Sequence, residues 1–249
     1  MTPLYIVGLG PGGREHLTPA ATRALGTSHC AVGYGPYLAQ VQDLLVGKDC
    51  RDLPLGEEIP RARLALDLAA AGKPTALLSS GDPGIYAMAT VVFEQLATAP
   101  GAGWEGVEVQ VIPGISALQA VAAKVGAPLA CDFCAISLSD CLLPWTTIER
   151  RIDAAGQGDF AVAFYNPVSQ RRRWQLPRAR EILLGYRPTD TPTIIARNVT
   201  RPGETLQLTT LGELAVEAVD MLTLVLVGSA ETRVWGPWLY TPRGYQPPP

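Results

Sequence analysis

Hydrophobic and polar positions along the chain follow two alternating rhythms. Short β-rich runs give way to stretches with helical spacing, and the succession predicts an α/β fold of two αβα lobes with mainly parallel sheets covered by helices. In the first half, strands are read at Leu4 to Leu9, Cys30 to Gly33, Thr75 to Leu78 and Val107 to Ile112. A helix is predicted from Thr18, an N-cap followed by Pro19 at the first helical position, to about Gly26. A second, Ile59 to Lys73, has Pro60 near its start and Gly72 near its end, and places Leu64, Leu68 and Ala71 on one face. A third follows the segment Ser79 to Tyr86 and runs to about Leu96, and a fourth begins in PGISA, Pro113 to Ala117.

Beyond Val125 the alternation restarts. Phe133 to Leu138, Phe160 to Tyr165, Thr193 to Arg197 and Thr223 to Val227 read as strands with helices between them. This predicts lobes at 1–118 and 119–240 with a cleft between them, and a disordered tail over 241–249. No sequence repeat relates the two lobes.

Composition narrows the class. At 47% hydrophobic and 17% charged residues the chain lies within the globular range. No run approaches the roughly 20 apolar residues of a membrane helix, and MTPLYIVGLG enters strand-like sequence directly, so a soluble, cytoplasmic protein is expected. The net charge of −3 supplies no basic field, so neither nucleic acid nor membrane is an expected partner. Five cysteines in such a chain are expected to be reduced thiols. Cys131 and Cys134 form a CxxC with Cys141 beyond it, but His16 and His29 lie far upstream, so no metal site is expected and the cysteines read as small buried hydrophobes.

The chemistry is concentrated in loops that follow strands. GLGPGG, Gly8 to Gly13, satisfies GxGxxG, yet the next helix starts several residues later, at Thr18. A dinucleotide loop needs the helix to begin at the glycines and an acidic residue after the second strand, and Cys30 to Tyr37 offers none. Gly72-Lys73-Pro74-Thr75 precedes a strand, so it is not a P-loop. A tight turn is the alternative reading of GLGPGG. SSGDPGIY, Ser79 to Tyr86, lies at the carboxyl end of a strand, where α/β sheets bind ligands, and Asp82 there either caps the following helix or faces the cleft. PGISA, FYNP at Phe164 to Pro167, and ARNVTRPGE at Ala196 to Glu204 also follow strands.

Together these motifs, with the late Gly228-Ser229, resemble the tetrapyrrole methyltransferase family over nearly the whole chain. The resemblance implies two αβα lobes, a homodimer, a tetrapyrrole substrate, and S-adenosylmethionine held in the cleft largely by backbone groups. Matched residue by residue, it implies cofactor contacts at Gly81, Asp82, Ile85 and Tyr86, at Ser116 and Ala117, and, from the second lobe, at Tyr165, Asn166, Ala196 and Arg197. It turns GLGPGG, through Gly10, Pro11 and Gly12, toward the tetrapyrrole. VGYGPYL at Val32 to Leu38, SLSDCLLPW at Ser137 to Trp145, YNPVSQRR at Tyr165 to Arg172, and TPRGY at Thr241 to Tyr245 are most similar to the branch that methylates a corrin precursor at C17.

That branch couples methylation to ring contraction of a substrate bearing a hydroxyl and a lactone, which calls for a base near the hydroxyl proton. Asp82 and Tyr34 are the candidates by loop position, against a capping role for Asp82 and a packing role for Tyr34. Arg171, Arg172 and Arg173 suit the acetate and propionate groups of a tetrapyrrole, against a solvated arginine run. A non-catalytic module that binds S-adenosylmethionine or a tetrapyrrole is the reading from another class, and a nicotinamide dehydrogenase is the third.

Overall fold

The computed structural model describes residues 1–245, and the end of the expected tail, 246–249, lies outside the described residues. Two compact units are present, Met1–Ala117 and Leu118–Pro249.

The first unit is a five-stranded parallel sheet of β1 (Thr2–Gly8), β2 (Cys30–Gly33), β3 (Asp49–Asp52), β4 (Thr75–Ser79) and β5 (Val107–Ile112), in the order β3-β2-β4-β1-β5. The short strand β3, mostly exposed at the sheet edge, carries too few apolar residues to be read from the sequence. Helix α1 (Pro19–Thr27) starts where Thr18 Oγ1 accepts the Ala21 N–H at 3.0 Å, a cap worth about 1 kcal/mol. It packs with α2 (Gly35–Gln40) on the sheet face of Val7 and Ala31. Helices α3 (Glu58–Ala70) and α4 (Met88–Thr98) cover the opposite face, that of Leu4 and Ile6.

The buried stripe of α3 differs from the expected one. It is Arg61, Ala62, Ala65, Leu66 and Ala69, whereas Leu64 and Leu68 lie at its flank and Ala71 is exposed. Two apolar series with helical spacing coexist in this segment, and the alanine series wins because small side chains let α3 approach the sheet closely.

In the second unit, α5 (Ala117–Val125) leads to β6 (Gly126–Ala127), and β7 (Phe133–Ser137), α6 (Trp145–Gln157), β8 (Ala161–Tyr165) and α7 (Gln175–Leu184) follow as a parallel β–α–β–α succession. The sheet then becomes mixed. After β9 (Pro192–Arg197) the chain returns as the antiparallel strand β10 (Thr205–Thr210), and β11 (Thr223–Val227) inserts antiparallel between β8 and β9, giving the order β10-β9-β11-β8-β7. The helices expected between Arg197 and Thr223 are therefore replaced by a strand and one short turn of 3₁₀ helix, Val216–Ala218. A parallel return needs a crossover of a dozen or more residues, and the loop from Arg197 to Thr205 is too short for one.

Finally, β12 (Arg233–Trp235) and β13 (Trp238–Tyr240) form a hairpin that pairs with β6. The expected disordered tail is anchored at its first residue: buried Thr241 donates from its hydroxyl to the Pro128 carbonyl at 2.8 Å, and its N–H donates to that of Ala127.

Candidate functional site

Strand order brings three loops together. Because β1 lies between β4 and β5, the chain leaving Gly8, Ser79 and Ile112 emerges side by side at the carboxyl edge of the sheet. The connection after β1 runs through α1 toward β2 on one face, and that after β4 runs through α4 toward β5 on the other. This is the switch point at which open α/β sheets form a ligand crevice.

Glycine lets the loops touch backbone to backbone. Leu9 N–H donates to the Ser79 carbonyl at 2.9 Å, and Gly10 and Gly81 exchange both their N–H···O bonds, at 3.2 and 2.8 Å. Both adopt left-handed backbones, φ +74° and +64°, which residues with a Cβ rarely take. A Cβ at Gly114 would lie 2.1 Å from the Gly81 carbonyl oxygen, and one at Gly8 would lie 2.6 Å from the Gly114 nitrogen. The space at Gly81 itself is open, its nearest neighbour being 3.9 Å away, so a ligand can approach that peptide closely. Such a cradle fits a cofactor held by backbone groups, and it explains how the site dispenses with an acidic residue after β2.

Asp82 joins two of these loops. Its Oδ1 accepts the Gly84 N–H at 2.8 Å and its Oδ2 accepts the Gly114 N–H at 3.1 Å. The expected capping role does not hold, because α4 starts at Met88 with Ala87 at its N-cap and no side-chain cap. The Asn form keeps one acceptor atom and puts an NH₂ where the other stood. Asp82→Asn is therefore expected to weaken S-adenosylmethionine binding about tenfold in calorimetry and to leave kcat at saturating cofactor unchanged. A fall in kcat with full cofactor affinity would instead make Asp82 the base.

The remaining first-unit candidates lie along the same edge. Pro11 is buried and Gly12 half-buried beside Gly10; Ile85 is half-buried, and Tyr86 is 52% exposed with φ +52°. Ser116 is buried and Ala117 opens α5. Tyr34 directly follows β2 as the N-cap residue of α2 and packs edge-to-face on Tyr37 at 5.4 Å between centroids, so its ring does pack. Sequence reasoning omitted Gly8 and Gly114 from the site; the signal for each was a glycine directly after an apolar run, inside a motif already singled out.

In the second unit, β7, β8 and β9 all end at one edge. Tyr165 Oη accepts the Leu118 N–H at 3.1 Å. Asn166, left-handed at φ +51°, donates from Nδ2 to Ser137 Oγ at 3.0 Å. Ala196 is buried within β9, whose register engages β10 on one side and β11 on the other. Arg197 Nε pairs with Asp220 at 2.7 Å. Partial burial pushes the Asp220 carboxyl up, but hydrogen bonds from Arg197, Thr223 and the Leu222 N–H outweigh it and leave the group below its ordinary range. Gly228-Ser229 does not join these residues. Since β11 runs antiparallel to β8 and β9, that motif lies at the opposite edge, where Gly228 receives a hydrogen bond from Arg187.

The three arginines are not equivalent. Arg172 Nη1 donates to the carbonyls of Leu138 and Asn166 at 3.3 and 3.4 Å, while Arg171 and Arg173 are exposed and make no hydrogen bond or ion pair among the described residues. The cysteines also depart from expectation, since Cys131 and Cys141 are exposed and Cys134 is only half-buried, its thiol pushed up by burial. Surface depressions near Cys134 and Phe160, and near Tyr5 and Arg23, do not reach the carboxyl-edge loops.

Comparison with known proteins identifies the family. The family model for tetrapyrrole (corrin/porphyrin) methylases matches residues 3–215. The chain belongs to this family. It is accordingly a methyltransferase that draws its methyl group from S-adenosylmethionine. Among tetrapyrrole methylases, it is 43% identical to a precorrin-3B C(17)-methyltransferase of a Sinorhizobium species, over 97% of this chain and 96% of that protein. It is 44% identical to a cobalt-factor III methyltransferase of Priestia megaterium over 98% of this chain, but spans only 45% of that longer protein. The crystal structure of the methyltransferase CobJ superposes with a TM-score of 0.92 at 42% identity, covering 97% of this chain and all of that one.

Proposed function

We propose that this tetrapyrrole methylase transfers a methyl group from S-adenosylmethionine to C17 of precorrin-3B, coupled to ring contraction that gives precorrin-4 in cobalamin biosynthesis. The observation that carries the reading is the full-length 43% identity to a precorrin-3B C(17)-methyltransferase.

Methyl transfer from a sulfonium is an in-line displacement. It requires a nucleophilic carbon held against the methyl group with water kept out, and no nucleophilic side chain. Gly81, Asp82, Ile85, Tyr86, Ser116 and Ala117 hold the cofactor at the first unit's edge, with Tyr165, Asn166, Ala196 and Arg197 as the second unit's contribution. Gly10, Pro11 and Gly12 face the tetrapyrrole, and Tyr34 is the remaining candidate for the base. Support for Asp82 as base is weaker, because both its oxygens already accept backbone N–H groups.

The cobalt-factor III methyltransferase at 44% identity favours a second reading, in which the substrate carries cobalt. Initial rates with the two tetrapyrroles under anaerobic conditions separate them. The first reading expects kcat/KM for precorrin-3B to exceed that for cobalt-factor III at least tenfold; the reverse order supports the second. Among the described residues no helix is long and apolar enough to cross a membrane. Cytoplasmic residence and a homodimer belong to the same proposal, the dimer resting on the family resemblance; a monomer mass in light scattering contradicts it.

A further inference from the structure

The loops that follow β7 and β8 leave the same sheet edge, since Ser137 and Tyr165 are register partners in a parallel pair. They are braced to each other at several points. Besides the bonds of Arg172 and Asn166, Gln175 Nε2 donates to Asp140 Oδ2 at 3.1 Å, Arg172 Nε lies 3.9 Å from Asp140 Oδ1, and Trp145 meets Trp174 edge-to-face at 4.7 Å. A charged side chain spent on loop carbonyls and a pair of indoles give these loops a defined shape.

What the brace presents outward is unusual for a surface loop. Leu142 is 95% exposed and Trp174 is 50% exposed, with Leu143 also exposed. Arg171 and Arg173, on the same loop just before Trp174, are exposed and make no hydrogen bond or ion pair among the described residues. Single exposed apolar side chains need no explanation, but an exposed aromatic and two exposed leucines on two loops braced to each other, one of which also carries two unpaired guanidiniums, combine apolar and cationic chemistry. Its components suit one kind of ligand: a flat apolar body rimmed with carboxylates, whose face lies on indole and leucine and whose rim meets the planar guanidinium forks.

We propose that this platform is the second unit's subsite for the substrate macrocycle. Trp174, Leu142 and Leu143 contact its face, Arg171 and Arg173 take peripheral carboxylates, and Arg172 is a positioning residue that holds the platform together. The proposal rests on the tetrapyrrole reading of the substrate and assigns the arginine run unequal roles.

The test uses the full chain, with uroporphyrin, an octacarboxylate porphyrin, as a binding probe read by quenching of tryptophan fluorescence, and with precorrin-3B as substrate. Arg171→Ala/Arg173→Ala is expected to raise the uroporphyrin Kd and the precorrin-3B KM by ten- to a hundredfold, roughly tenfold for each charge-assisted bond lost. It should also flatten the salt dependence of porphyrin binding while S-adenosylmethionine affinity in calorimetry stays unchanged. Trp174→Phe, which keeps an aromatic ring against Trp145, should keep most of the affinity, whereas Trp174→Ala should raise the uroporphyrin Kd about fivefold; a Trp174→Ala protein with the wild-type Kd would remove the indole from the platform. If wild-type protein methylates precorrin-3B and the double variant keeps both its Kd and its KM, the platform is not the subsite and the substrate reading stands. If wild-type protein neither binds uroporphyrin nor methylates precorrin-3B, the substrate reading fails and the subsite fails with it.

Discussion

Gly114→Ala is expected to abolish measurable S-adenosylmethionine binding and to lower stability by about 2–4 kcal/mol, because a single methyl group is forced into backbone. Its Cβ would lie 2.1 Å from the Gly81 carbonyl oxygen and 2.9 Å from the Gly8 Cα. Neither neighbour is a flexible side-chain end, so relief requires the loop after β5 to move off the loops after β1 and β4. That movement breaks the 3.1 Å bond from the Gly114 N–H to Asp82 and releases Gly81, whose peptide is open to a ligand. Gly106→Ala, in the turn before β5, is the control: nothing lies within 4 Å of its Cβ and its backbone is not left-handed, so a change within about 0.5 kcal/mol is expected. Thermal unfolding and calorimetric titration of both variants read the two effects separately. A Gly114→Ala protein with wild-type cofactor affinity would show that the contact among the three loops does not form the cofactor cradle.

Arg187→Met is expected to cost about 3–5 kcal/mol of second-unit stability, one of the largest effects available outside the candidate site. The Arg187 side chain is fully buried, and its guanidinium donates to the carbonyls of Gly228 at 2.6 Å, Ala155 at 3.3 Å and Phe160. Its Nε lies 3.6 Å from Asp159, within ion-pair range yet too far for a hydrogen bond, and it makes none. Burial pushes the guanidinium below its usual range, and the nearby Asp159 opposes that push. Methionine roughly keeps the volume but supplies no donor, so the inward carbonyls of Gly228 and Phe160 lose the guanidinium and that of Ala155 keeps only the Phe160 N–H, at 3.1 Å. With about 2–4 °C lost per kcal/mol for a chain of this size, the melting midpoint should fall by roughly 6–20 °C. Since Arg187 lies at the edge opposite Tyr165 and Asn166, cofactor affinity measured well below the midpoint should stay within about twofold of wild type. A stable Arg187→Met protein would mean that water replaces the guanidinium.

Much of the fold was legible because strands and helices here have strong boundaries. Cys30–Gly33 and Val107–Ile112 agree with the residues read from their apolar runs, and Thr18-Pro19 marked the start of α1 through cap chemistry alone. The losses have a common cause, which is that local sequence does not report strand direction or partner. β10, whose first four residues are all exposed, lacks the apolar run by which strands were found, and without it the antiparallel course of β11 was invisible. That course moves Gly228-Ser229 away from the edge where the other motifs lie. The same limit applied within the site. A GDP tripeptide before a helix suggests a cap, and only the spatial adjacency of β4 and β5 across β1 shows that Asp82 reaches Gly114 instead. Likewise, three successive arginines read as one charged run until the fold turns Arg172 onto loop carbonyls and leaves its neighbours outside.

The carbon that receives the methyl group distinguishes this enzyme from other tetrapyrrole methylases. Incubating the chain with precorrin-3B and S-adenosylmethionine labelled with ¹³C at the methyl carbon, then locating the label by NMR and the mass of the product, identifies it most directly. The expected product carries one added labelled methyl, bonded to C17 of a ring-contracted precorrin-4. A label at any other carbon, or intact precorrin-3B recovered from protein that binds the cofactor, would contradict the C17 assignment.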